Sequence, residues 1–124
     1  METMASFRDL YHGTTGDDIL QILRDNAIKP NRDQKIFFSE WRYESVLMHG
    51  ADLKRKATYA IKVRATVPDN ARVQKVATPG VADTLVVITV EPLAVEVLEL
   101  YIRKPGAVQV QVVRGRAGIE AALR

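Results

Sequence analysis

Cysteine is absent, so the chain can form no disulfide, bind no metal through thiolate and offer no thiol nucleophile. Long apolar runs are also lacking: the longest, Leu85 to Val90, is far too short to cross a bilayer. Residues 1–10 include Arg8 but no apolar stretch of the kind a secretory signal needs. There is no polybasic tail, only the short run Lys54-Arg55-Lys56. A soluble, cytoplasmic protein without membrane association is therefore expected, and no metal is expected. Aromatic residues are few and uneven. Seven lie within the first 59 positions and only Tyr101 lies beyond. The back half must build its core from Val, Leu and Ile, and a planar ligand is expected to meet the front half.

What is present is ordinary for a folded domain. The 124 residues suit a single domain spanning 1–124, with 47% apolar and 27% charged side chains. A net charge of +3, spread evenly, favours approach of a phosphate-bearing ligand but is too diffuse to argue for a nucleic-acid groove.

Local patterns predict the elements. Phe7 to His12 reads as a strand entering the turn Gly13-Thr14-Thr15-Gly16. A helix is predicted over 17–26, capped by Thr15 or Asp17, with Ile19, Leu20, Ile22 and Leu23 on one face. A second strand is predicted over 35–39. A second helix is predicted over 40–54, capped by Ser39 and weakened by Gly50. Residues 57–66 alternate as a half-buried strand does, with Tyr59, Ile61, Val63 and Ala65 on one side. Residues 67–82 show no period and contain two prolines, which predicts a long, functional loop. Strands are predicted at 84–90, 93–102 and 107–113, the last two forming a pair about Lys104-Pro105-Gly106, and a helix at 117–123. The fold class is α+β, mainly antiparallel, with two helices in the N-terminal half.

Four features can carry chemistry. His12 stands at a strand end beside Gly13, where an imidazole can donate to a sugar hydroxyl while glycine backbone binds an amide. Phe37 and Phe38 point to opposite faces of the next strand, followed by the hydroxyl of Ser39. Tyr43 and His49, six residues apart, do not share a helical face, so at most one of them can join His12. Asp83 follows the long loop and opens a buried strand, where rigid backing can hold a carboxylate at a cleft edge. Each alone has a structural explanation: a satisfied turn histidine, core phenylalanines, a strand-entry aspartate.

Together, Tyr11-His12-Gly13-Thr14, Ile19, Ile22, Leu23, Ala27-Ile28-Lys29-Pro30 and Ile36-Phe37-Phe38-Ser39 resemble the ADP-ribosyltransferase family. The likeness is to its His-Tyr-Glu branch, which includes diphtheria-toxin-like enzymes and poly(ADP-ribose) polymerases. It covers the first third of the chain; the remainder matches only in the order of elements. The resemblance implies a split antiparallel β-sandwich that takes NAD as co-substrate. It also implies that His12 binds the ribose and Gly13 the nicotinamide amide, that Thr14 and Ser39 border the cofactor, and that Phe38, Tyr43 or His49 stacks on the ring. The family acid would correspond to Asp83, as in the small rifamycin ADP-ribosyltransferases, which carry Asp where the branch has Glu. Phe38 replaces the second-strand Tyr. Glu91 lies roughly 25 Å along the extended chain from Asp83 and cannot take its place.

The implied reaction breaks the nicotinamide–ribose bond, with His12 and Asp83 as the catalytic pair. A fixed carboxylate gains strength as positive charge grows on the ribose. ADP-ribose then passes to an acceptor that can be a protein, a nucleic acid or a small molecule, with residues 67–82 as a lid. An antitoxin or inhibitor protein is a further expected partner for so small an enzyme. Two other readings keep the scaffold. One is a non-catalytic NAD or ADP-ribose binding module. The other is an NAD-dependent RNA 2′-phosphotransferase, which the single Arg8 near His12 disfavours.

Overall fold

A computed structural model describes residues 6–78 and 81–124, side chains at 77, 78 and 81–83 excepted. In chain order it contains β1 (Ser6–Gly13), α1 (Gly16–Asp25), β2 (Ala27–Ile28), β3 (Lys35–Ser39) and α2 (Glu44–Leu47). A 3-10 turn (Met48–Gly50), β4 (Ala51–Asp52), β5 (Ala57–Val67) and β6 (Arg72–Thr78) follow. The chain continues through β7 (Val81–Ile88), β8 (Leu93–Arg103) and β9 (Gln111–Arg114) to α3 (Arg116–Leu123). The α+β expectation holds at the level of class: among the described residues three helices accompany a mostly antiparallel sheet. Among the described residues no helix is long and apolar enough to cross a membrane.

The strands run in the order β2-β8-β5-β1-β3-β7-β6, with β4 added to β5 and β9 to β8. Among the described residues every pairing is antiparallel. β1 joins β5 over its whole length, from Ser6↔Val67 to Gly13↔Ala60. It joins β3 at one pair alone, Tyr11↔Ser39. The sheet is thus almost divided between β1 and β3, and the end of β1 beyond Tyr11 lies where the two halves part. One core spans both halves: Leu10, Ile61, Val63 and Leu100 meet Ile36, Phe38, Leu85 and Val87, and α1 adds Ile19, Ile22 and Leu23. Ile119 and Leu123 of α3 belong to the same core. A smaller cluster on the opposite face gathers Val46, Leu47, Ala60 and Tyr101, with Tyr11 and Tyr43 against it.

Helix α1 begins one residue before the predicted span. Thr15 is its cap, its side chain accepting from the Asp18 amide at 3.3 Å, and Asp17 and Asp18 favour the positive end of the helix dipole. The helix ends at Asn26, in the left-handed region at φ 51°. The Arg116 guanidinium donates to the Leu23 carbonyl and to Asn26 Oδ1, which satisfies groups the last turn leaves open.

Two predicted elements are corrected, and the strand expected over 107–113 is confined to Gln111–Arg114. The helix expected over 40–54 shrinks to one turn at 44–47, a 3-10 turn and a two-residue strand. Gly50 is the reason: a Cβ there would lie 1.7 Å from the Tyr59 carbonyl oxygen, so the chain is pressed onto β5 and cannot continue as a helix. The described part of 67–82 is mostly strand rather than a long loop. Residues 72–78 form β6, the outer strand beside β7. Alternation was hidden because an outer strand keeps charged side chains such as Arg72 and Lys75 in water, with prolines only beyond its ends.

Candidate active site

The register brings three of the proposed segments to one level. Tyr11 of β1 pairs with Ser39 of β3, and Ser39 pairs with Thr84 of β7. His12 and Gly13 follow Tyr11, and Asp83 precedes Thr84 in β7. The side chain of Asp83 lies outside the described residues. Glu40, which follows Ser39, is paired with Lys75 of β6 at 3.3 Å, so a second carboxylate sits at this end of β3.

His12 Nδ1 lies 2.9 Å from the Phe37 carbonyl oxygen. A carbonyl only accepts, so Nδ1 carries the proton, and a side chain ties β1 to β3 where the strands separate. The imidazole is also 5.5 Å, centroid to centroid, from the Phe38 ring at a tilt of 54°. Burial lowers the pKa of His12 below 6.5, outweighing the Phe37 bond and the nearby Asp18 carboxylate, which favour the charged form. The ring is thus neutral at pH 7. Its Nε2 has no hydrogen-bond partner among the described residues. In this tautomer Nε2 is a hydrogen-bond acceptor.

Gly13 has a packing cause that its sequence context does not show. A Cβ at this position would lie 1.8 Å from the Val46 carbonyl oxygen of α2. The space made by the missing side chain is filled by that helix rather than left to a ligand, so only the glycine backbone can serve an amide. Thr14 Oγ1 donates to Asp18 Oδ2 at 2.6 Å, and Ser39 Oγ accepts from the Arg42 amide at 3.3 Å. Both hydroxyls thus help shape the turns around His12.

The aromatic candidates separate. Phe38 is fully buried in the core and offers no face to a planar ligand, which removes it from the stacking set. Phe37, its neighbour, is 48% exposed on the other face. His49 is exposed on the 3-10 turn. Tyr43, half-buried at the start of α2, stacks on Tyr101 with centroids 4.2 Å apart and planes 11° from parallel. Tyr101 in turn lies 6.0 Å from Tyr11. Burial raises the Tyr43 hydroxyl pKa, Glu44 adds to this, and Arg103 opposes it. Sequence reasoning missed Tyr101, the one aromatic of the back half. Its isolation among aliphatic residues was the available signal, but nothing local says that β8 carries it under α2.

A second missed residue is Arg55. Its guanidinium reaches Asp17 at 2.9 Å, Asp52 at 3.3 Å and the Leu123 carbonyl at 2.9 Å, joining the start of α1 to the end of α3. Asp52 is buried and also accepts from the Gly16 amide at 2.8 Å. Burial pushes its carboxyl up, but the Gly16 and Arg55 amides and the Arg55 charge outweigh this and hold it below the usual range.

No family model, curated protein or solved structure matches the chain. Among the described residues no group of three or more His, Asp or Glu could hold a metal ion.

Proposed function

We propose that this protein is an NAD-dependent ADP-ribosyltransferase, with the split β-sandwich of that family. The observation that carries the reading is the shared level of Tyr11, Ser39 and Thr84 on adjacent strands, which lines up the His12, Phe37-Phe38-Ser39 and Asp83 segments. NAD is the co-substrate. The neutral His12 accepts from a ribose hydroxyl through Nε2, with the ring fixed by the Phe37 carbonyl. The Gly13 backbone holds the nicotinamide amide. The Asp83 carboxylate stabilises positive charge on the ribose as the nicotinamide bond breaks, and the acceptor nucleophile takes the ADP-ribose. A cytoplasmic setting belongs to the same proposal, as does control of so small an enzyme by an antitoxin or inhibitor protein.

Incubation with NAD and mass detection of free nicotinamide tests the reading. Release that disappears in Asp83→Ala, with NAD binding kept within about tenfold, supports transfer chemistry. Binding without any release leaves a non-catalytic NAD module. No binding rejects the site.

A further inference from the structure

A separate cavity of about 400 Å³ opens between the β4–β5 turn and the end of β8. Its wall is mostly apolar, made by Ala51, Leu53, Ala57 and Pro105. Leu53 is 92% exposed at its rim, an unusual position for so large an apolar side chain. Three cations, Lys56, Arg103 and Lys104, also line it, and none of them makes an ion pair among the described residues. Lys56 and Lys104 also border an adjoining depression of about 530 Å³, so their charges stand on the ridge between the two. The acid in the wall, Asp52, is turned to Gly16 and Arg55 and adds no free negative charge. Lys56 is further held at φ +52°, a left-handed conformation that side-chain-bearing residues seldom adopt and that the four-residue β4–β5 turn imposes.

An apolar floor with cations along one edge recognises a ligand divided the same way. We propose that this cavity binds a small phosphate monoester carrying a flat, weakly polar group, of the size of a mononucleotide. The flat group rests on Leu53, Ala57 and Pro105, and the phosphate meets Lys56, Arg103 and Lys104. The volume is near the lower end of the range of about 300–1,000 Å³ usual for ligand cavities, which suits one nucleotide and not two. None of the wall residues belongs to the His12 site, so the inference does not depend on the NAD reading.

The test is a titration of AMP into isotopically labelled protein, followed through backbone amide signals, with adenosine and inorganic phosphate as separate arms. AMP is expected to move the signals of Lys56, Thr58, Arg103 and Gly106, and to bind at least about tenfold more tightly than either fragment. Replacing Lys56, Arg103 and Lys104 together by Ala should weaken AMP at least about tenfold, since each loses a charge-assisted contact. Leu53→Ser should weaken AMP while leaving phosphate unchanged. These residues are exposed, and because Leu53 and Lys56 also sit in the turn, an unchanged circular-dichroism spectrum accompanies each variant. His12→Ala should leave the AMP shifts as they are, which separates this site from the NAD cleft. Equal affinity for phosphate alone, shifts confined to the His12 region, or no shift by about 10 mM AMP would each overturn the proposal.

Discussion

His12 is bound to Phe37, 25 residues further along the chain, through an Nδ1–H to carbonyl bond of 2.9 Å. That bond selects the tautomer, orients the ring and joins the two halves of the sheet at their weakest seam. It follows that the histidine should be sensitive to acid. Burial lowers its folded pKa below 6.5, so the unfolded chain binds the proton more readily. The stability this group contributes is complete above about pH 6.5 and falls as the pH drops below it. An imidazole titration by NMR should place His12 below 6.5, and His12→Gln should flatten the stability profile on the acid side. A His12 midpoint above 6.5 would contradict the burial argument.

Asp52 gives a second acid-sensitive point with the same sign. Its folded pKa is held below 3.8, so its contribution is present above that value and is lost as the pH falls through the folded pKa. Arg55→Ala removes the guanidinium from Asp52 and from the Leu123 carbonyl. Leaving buried acceptors without partners should cost about 2–3 kcal/mol in urea unfolding. Arg55→Lys should recover part of this, because an ammonium restores charge but not three directed contacts. A loss under about 0.5 kcal/mol would mean that water replaces the guanidinium without cost.

Gly13→Ala is expected to be severe. The added Cβ would meet the Val46 carbonyl oxygen at 1.8 Å, a backbone atom that cannot swing aside, so α2 must lift from β1. The expected destabilisation is about 2–4 kcal/mol. Gly106→Ala provides the contrast: nothing lies within 4 Å, and only its φ of +76° opposes a side chain, which should cost about 1 kcal/mol. If the two variants unfold at the same denaturant concentration, close packing of α2 on β1 is not what requires Gly13.

Tyr43→Ala tests the stack on Tyr101. Its loss should cost about 1 kcal/mol of stability in urea unfolding. Tyr43→Phe keeps the ring and should keep most of that stability. An equal loss in the two variants would mean that the hydroxyl, and not the stack, carries the effect.

Much of the sheet was legible because its strands alternate in a way local chemistry explains. In β5, Tyr59, Ile61, Val63 and Ala65 are buried as the pattern requires, and β8 does pair with β9, although residues 104–110 and not Lys104-Pro105-Gly106 alone connect them. The α1 cap at Thr15 was legible for the same reason. β6 was not, since an outer strand can be polar on both faces and still complete its hydrogen bonds on one side. The region 40–54 misled because its apolar spacing is helical, while the approach of Gly50 to Tyr59 is a contact no local window contains.

The sequence by itself determined the local matters: a cysteine-free α+β chain, the strand that ends in His12-Gly13, and the opposite directions of Phe37 and Phe38. Only the tertiary structure decided that Phe38 is the buried one, that His12 keeps its proton on Nδ1, and that Tyr101 lies against Tyr43. The reason is range. Side-chain direction and capping follow from neighbours a few residues away, whereas a tautomer or a ring stack depends on partners that register brings together across strands distant in the chain.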